Sequence, residues 1–278
     1  MKQTFSFVLV CCLLLSALSL PSCFRRPQDT ITVISREDGS GTRTAFMDLL
    51  GITDITLAAE ISQSTTVVMT SVENNVAAIG YISLGSLNDS VKALSIDGVA
   101  ATATNVKNGT YPISRPFNIA TKGEPDPLTA DFIAFITSRE GQAVVEANGY
   151  IGSGTSNAYT PSILEGKIVI TGSSSVKPVM EKLKEAYLQY NPSARIDVMQ
   201  SDSGNGMSSV ADGLCDIGMA SRELKENELK KGLTPTAIAI DGIAVIVNRD
   251  CTLSNLTREQ LAAIYQGEIT TWSALQAP

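Results

Sequence analysis

Residues 35–43, SREDGSGTR, set an arginine, Arg36, and a Ser-Gly-Thr turn, Ser40, Gly41 and Thr42, around two carboxylates, Glu37 and Asp38. A guanidinium offers a forked pair of donors matched to two oxygens of an oxyanion. A Ser-Gly turn at a helix start adds hydroxyl and backbone N–H donors with little bulk. Three further strand ends run into hydroxyl-rich turns: residues 171–176 (TGSSSV), 201–206 (SDSGNG) and 220–222 (ASR). The opening stretch and the first two of these precede expected helices, whose first N–H groups are unpaired and carry partial positive charge. Brought together, the four turns would surround a small tetrahedral oxyanion. Taken singly, each reads more readily as a helix cap or tight turn than as a ligand site, and Arg222 beside Glu223 reads as a solvated pair.

Composition narrows the chemistry. The 278 residues, 44% hydrophobic and 18% charged, describe a folded α/β chain with room for two modest domains. Histidine is absent, which excludes a Ser-His-Asp triad, a Cys-His pair and a His-rich zinc site. The net charge of −7 argues against nucleic acid or an anionic membrane surface as partner. Any anion must therefore be held by local geometry rather than by a basic surface. No metal site, cofactor or catalytic residue is expected.

The first 22 residues read as a secretory signal: a lone Lys2, an apolar run from Phe5 to Leu20, then a small-residue step. Without them the net charge is −8, since only that lysine is lost. Leu20-Pro21-Ser22-Cys23 is similar to a bacterial lipobox, which makes Cys23 the expected lipidation site and lipid anchor, with plain secretion as the alternative. Cys11 and Cys12 lie within the signal, leaving Cys215 and Cys251 either as a disulfide or as two buried thiols.

The elements that must position these turns alternate along the chain. Strand-like runs are ITVIS (31–35), AAIGYIS (77–83), VKALSI (91–96), PFNIAT (116–121), KIVITG (167–172), RIDVMQS (195–201), DIGMAS (216–221) and IAVIVN (243–248). Interleaved with helical patterns, they predict an α/β fold with mainly parallel sheets, whose ligands collect at the carboxyl ends of strands. Residues 176–190 place Val176, Val179, Met180, Leu183, Ala186, Tyr187 and Tyr190 on one helical face, with Pro178 in the first turn and Asn191-Pro192 at the end. Residues 151–165, rich in Gly, Ser, Thr and Pro, read as a linker between two patterned halves.

Taken together, the segments GSSSVKPVMEKL, DSGNGM, DIGMASREL, AIAIDGIAVIVN, LTREQLAAIYQGEITTWSAL, SREDGSGTR, AAIGYISLGSL and FITSREGQAVVEANGYI resemble the periplasmic phosphate-binding proteins of ABC phosphate-uptake transporters. The resemblance covers nearly all of residues 30–152 and 166–276. It implies an α/β, two-lobe periplasmic-binding-protein-like fold with two crossover strands. Its order differs from the family's, where a segment like GSSSVKP lies near the mature N-terminus and one like TTWSAL precedes SREDGSGTR. The chain therefore reads as circularly permuted, its old ends joined through residues 151–165; a truncated product of a duplicated gene is the alternative. Surface-loop cuts of this kind are tolerated where termini lie close together.

Carried over residue by residue, the resemblance implies crossings at residues 111–118 and 240–250. It implies one continuous lobe, residues 114–248 with the linker at 152–165, and one split lobe, residues 23–113 and 249–278. It further implies that Arg36, Asp38, Ser40, Gly41 and Thr42 contact phosphate from one lobe and that Ser175, the Val176 backbone, Ser203 and Ser221 contact it from the other. Asp38 is then expected to accept a hydrogen bond from a protonated phosphate oxygen and to repel sulfate, which has no proton to offer. Some relatives carry an acid where Ser221 stands. The implied partners are inorganic phosphate and an ABC phosphate permease in the membrane, with the protein in the periplasm or on the cell surface. Rival readings are a receptor for sulfate or molybdate, a phosphate sensor or surface antigen without transport, and a phosphatase using Ser40 or Ser175, for which the sequence offers no evident base.

Overall fold

Runs rich in β-branched residues form the strands, and after β1, β2, β8 and β9 a hydroxyl-bearing turn leads the chain into a helix. In the computed structural model, residues 29–275 are described, apart from 156 and 163. The expected signal segment and Cys23 lie outside the described residues. The chain opens with β1 (Thr32–Arg36), α1 (Gly41–Leu50), β2 (Glu60–Ser62), α2 (Thr65–Glu73), β3 (Ala78–Ser83), β4 (Lys92–Ala93), β5 (Ser95–Ile96) and α3 (Ala103–Lys107). It continues with β6 (Ser114–Lys122), α4 (Pro127–Thr137), α5 (Arg139–Ala147), β7 (Ile151–Gly152), β8 (Gly166–Ser173), α6 (Lys177–Tyr190), β9 (Ala194–Ser201), α7 (Ser203–Ala211) and β10 (Ile217–Ala220). After α8 (Glu226–Leu229), the long β11 (Leu233–Val247) leads to β12 (Asn255–Leu256) and α9 (Arg258–Gln266).

The main sheet runs β2-β1-β3-β11-β6-β10-β8-β9. Two parallel units sit within it: β1 pairs with β2 and β3, and β8 pairs with β9 and β10. Between them β6 and β11 run antiparallel to each other, to β3 and to β10. The sheet is thus mixed rather than mainly parallel, because the two strands that cross between the units pass in opposite directions.

Strand β11 is a single 15-residue element, longer than its apolar run alone predicts. Up to Gly242 it pairs with β6, and from Ile243 it pairs with β3. Ile243, Val245 and Val247 enter one core beside Phe46, Tyr81 and Tyr265, while Ala244 and Ile246 enter another beside Val68, Val72 and Ile82. A strand covered on both faces needs an unbroken apolar run, which IAVIV supplies. Residues 243–247, expected in the continuous lobe, pack and pair with elements of the first unit. The second unit has its own core, built on Phe117, Phe132, Phe135, Ile170, Leu183 and Ile217. Helix α6 buries Val179, Met180, Leu183 and Tyr187 as its periodicity predicts, and leaves Tyr190 exposed.

Within the expected linker, Ser153, Gly154 and Tyr159 are held by the second unit. Gln142 Oε1 accepts from the N–H groups of Ser153 and Gly154, and the Tyr159 hydroxyl donates to Asp131 at 2.6 Å. Cys215 and Cys251 are both free. Cys215 packs with Met207, Val210 and Leu224, and Cys251 against the core of the first unit, so the disulfide alternative is set aside.

At the crossing, Arg115 of β6 donates to Asp241 of β11 at 3.1 Å, both side chains being buried. Burial pushes the Asp241 carboxyl up and the Arg115 guanidinium down, and each partner opposes the other's shift. Removing one member of a buried pair leaves the other charge uncompensated. Asp241→Asn is expected to destabilise the protein by about 3–5 kcal/mol, read as a lower urea midpoint; a change below about 0.5 kcal/mol would show that the crossing does not depend on this pair.

Candidate functional site

Five strand ends, those of β1, β2, β8, β9 and β10, open onto one buried cluster of hydroxyls. Thr42 Oγ1 lies 2.9 Å from Ser175 Oγ and 3.4 Å from Ser221 Oγ. Ser173 donates to Ser221 at 3.0 Å, and Ser203 Oγ lies 3.5 Å from Ser221 Oγ. Thr65 closes the ring, 3.0 Å from Ser175 and 3.4 Å from Ser174. Thr42, Ser175, Ser203 and Ser221 are all essentially without solvent contact.

Four helices start at this cluster. Ser40 caps α1 by accepting from the Arg43 N–H, Ser64 caps α2 through the Val67 N–H, and Asp202 caps α7 through the Asn205 N–H. Helix α6 begins at Val176 with no side-chain cap. Each N-terminus contributes partial positive charge, so the cluster is biased toward an anion without a surplus of formal cations. Several hydroxyl oxygens already accept from backbone N–H groups: Ser173 from Ser175 and Ser203 from Ser221, each at 3.2 Å. Ser173 gives its own proton to Ser221, while that of Ser203 remains to be given to an acceptor. The Val176 N–H, at the corner between β8 and α6, donates to the Ser173 carbonyl at 3.2 Å.

Gly41 is required by close approach. A Cβ there would lie 2.4 Å from Ser203 Oγ and 2.9 Å from Ser221 Oγ. The loops before α1 and α7 also meet through the backbone, Gly204 N–H donating to Gly39 O at 3.0 Å.

Arg36 is buried at the end of β1, its side chain 2% exposed. Beneath it, the Tyr81 hydroxyl bonds Ser35 at 2.8 Å and accepts from the Arg36 N–H, and the Tyr81 ring stacks on Phe46 at 4.1 Å. Burial pushes the Tyr81 phenol up, so it stays neutral. The fork of Arg36 is taken by the adjacent carboxylate: Nε donates to Glu37 Oε2 at 2.8 Å and Nη2 to Oε1 at 2.6 Å. Asp38 is not in the cluster. Its side chain is 92% exposed and pairs with Arg43. After β1 the chain enters the turn to α1, where the second carboxylate faces outward while the first lies along the guanidinium.

Of the expected residues, Thr42, Ser175, Ser203 and Ser221 come together, Gly41 abuts them, and Arg36 and Ser40 flank them. Arg222 is not a solvated partner of Glu223. It is buried and forks onto Glu228 at 2.8 and 2.7 Å. Burial raises the Glu228 carboxyl, but Arg222 more than offsets this and holds it below the usual range. The pair props the Ser221 turn. Reading the sequence missed Thr65, the first residue of α2, which follows a strand, β2, of only three residues, and the inward role of Glu37; the Ser64-Thr65 pair in QSTT was the available signal for the former.

A mixed sheet of two parallel units joined by two crossing strands, with a buried donor cluster between their strand ends, is the architecture of a solute-binding protein. Residues 25–140 and 154–278 match the PBP superfamily domain. A relative from Streptococcus agalactiae, phosphate-binding protein PstS 2, is 51% identical over 257 residues, covering 88% of either chain. One of the same name from Streptococcus pneumoniae is 45% identical over 280 residues, covering 97% of this chain and 94% of that one. A solved structure of a phosphate-binding protein of a phosphate ABC transporter from S. pneumoniae, 47% identical, superposes with a TM-score of 0.70 over 88% of this chain and 99% of that one. The chain belongs to this family of phosphate-binding proteins of ABC transporters.

Gly41→Ala must push α1 away from Ser203 and Ser221. It is expected to weaken anion binding at least about tenfold while costing about 1–3 kcal/mol of stability, measured by titration calorimetry and thermal denaturation side by side; unchanged affinity would remove Gly41 from the site.

Proposed function

We propose that the protein binds inorganic phosphate between two lobes outside the cytoplasm and delivers it to an ABC permease for uptake. The observation that carries this reading is the ring of buried hydroxyls, Thr42, Ser175, Ser203 and Ser221, gathered at helix N-termini beside a buried arginine. Such a ring supplies many neutral donors to a small tetrahedral anion and little else. The names of the relatives, phosphate-binding protein PstS 2 and a phosphate ABC transporter's binding protein, point to the same ligand.

Phosphate would be held by Arg36, Ser40, Gly41 and Thr42 from one lobe and by Ser175, Val176, Ser203 and Ser221 from the other, with Thr65 as an added donor. Its bridging of the lobes would stabilise their closed arrangement, which the permease then engages. The hydroxyls bond one another and backbone N–H groups, and among the described residues no carboxylate bonds to Thr42, Ser175, Ser203 or Ser221. This suits binding without a chemical step. The lobes divide where β11 changes partner and at the start of β6. A circularly permuted order, with the old ends joined through residues 151–165, is part of the proposal and rests on the order of the sequence motifs. Among the described residues no helix is long and apolar enough to cross a membrane; membrane association through a lipid on Cys23 remains part of the proposal.

Calorimetric titration of the protein without residues 1–22 is expected to give one phosphate per chain at neutral pH. Absence of heat with phosphate, together with binding of another oxyanion, would overturn the reading.

A further inference from the structure

We infer that the crossing of β6 and β11 is a binding site for ordered water, and that this water joins the two lobes through Tyr150. None of the residues involved belongs to the hydroxyl ring, and they come from both units. Ser83 ends β3 and Ser86 lies in the turn after it, on the first unit. Tyr150, between α5 and β7, packs in the core of the second. Arg115 and Asp241 stand on the two crossing strands.

These groups meet at one point. The Gly85 N–H donates to Asp241 Oδ1 at 3.3 Å, and a Cβ on Gly85 would lie 2.6 Å from the Tyr150 hydroxyl oxygen. The Arg115 guanidinium lies 5.2 Å from the centroid of the Phe117 ring, which is itself 5.5 Å from the Tyr150 ring. Ser83, Arg115 and Tyr150 are 0%, 3% and 4% exposed. Of the guanidinium, Nη2 is engaged by Asp241. Arg115 Nε and Nη1, the Tyr150 hydroxyl, Ser83 Oγ and Ser86 Oγ are buried without a hydrogen-bond partner among the described residues. Burial pushes the Tyr150 phenol up, so it stays neutral and keeps its proton.

The five atoms do not bond one another, so what completes them must stand between them. Both guanidinium nitrogens are donors only and need an oxygen to accept from them, while each hydroxyl can give one proton and accept others. An added anion would lie beside the buried Asp241 carboxylate and an added cation beside Arg115. Since those two charges already match, either would bring an uncompensated buried charge. Water is neutral, accepts from Arg115 and passes its own protons to the hydroxyls; a buried water ordinarily makes about three such bonds. Leaving five polar atoms unpaired in one place costs more than immobilising the water that satisfies them.

The bridge so formed has Ser83 and Ser86 on one side and Tyr150 on the other. In the arrangement described here, where the hydroxyl ring is closed across the two units, it adds to the contacts that hold them together. The water site stands without any ligand; its link to closure rests on the phosphate reading above.

Tyr150→Phe keeps the ring and removes only the hydroxyl. With water bound to that hydroxyl, the variant is expected to unfold at a lower urea concentration than wild type and to bind inorganic phosphate about three- to tenfold more weakly by calorimetry. A stranded hydroxyl would give the opposite sign, so a raised or unchanged urea midpoint would overturn the inference. A lowered midpoint with unchanged affinity would overturn the joining of the lobes. A crystal structure at a resolution that places ordered water is expected to show at least one water within about 2.7–3.2 Å of both Arg115 and Tyr150; the same side chains bonded directly to one another, or an ion between them, would overturn the site. Wild type that binds no phosphate would overturn the phosphate reading and the link to closure, while the midpoint and the crystal structure would still decide the water site.

Discussion

The structure turns on the desolvation of a ring of hydroxyls. Thr42, Ser175, Ser203 and Ser221 are buried within 2.9–3.5 Å of one another, in pairs that link the turn after β1 to the turns after β8, β9 and β10. Buried polar groups without partners cost free energy, and neutral hydroxyls in a small ring satisfy one another with long, poorly directed bonds. Such a ring is most stable around something that accepts several protons at once. A compact oxyanion does this, and four helix N-termini add their field to the same point.

Everything nearby serves to bring small side chains close without bringing bulk. Gly41 lets α1 abut Ser203 and Ser221, and Gly204 lets the α7 loop bond to the backbone of Gly39. The formal charges are held apart from the ring by partners of their own: Arg36 by Glu37, Arg43 by Asp38 and Arg222 by Glu228. Farther back, the buried pair of Arg115 and Asp241 joins β6 to β11 where the two strands cross, and β11 runs unbroken between the two units.

Much of this was legible in the sequence because strand-end turns carry strong local signals. TGSSSV, SDSGNG and SGT announce themselves by composition, and α6 by its apolar face. Less was legible where long-range packing decides. The chain length of β11 depends on β6 and β3, which lie far away in sequence, so IAVIVN alone showed only its doubly buried end. β2 has three residues and no apolar alternation, which hid Thr65. The choice between Glu37 and Asp38 could not be read from two adjacent acids, since it depends on where the backbone leaves β1 and on Arg43 standing ready to take the outer one. Likewise Arg222 looked exposed beside Glu223 until α8 brought Glu228 to it.

The most direct measurement is a crystal structure of the protein grown with phosphate. The account predicts a single tetrahedral anion enclosed by Thr42, Ser175, Ser203 and Ser221, within hydrogen-bond reach of Arg36 Nη1, with Glu37 still beside the guanidinium. An anion bound elsewhere, or a hydroxyl ring that stays closed on itself in saturating phosphate, would contradict it.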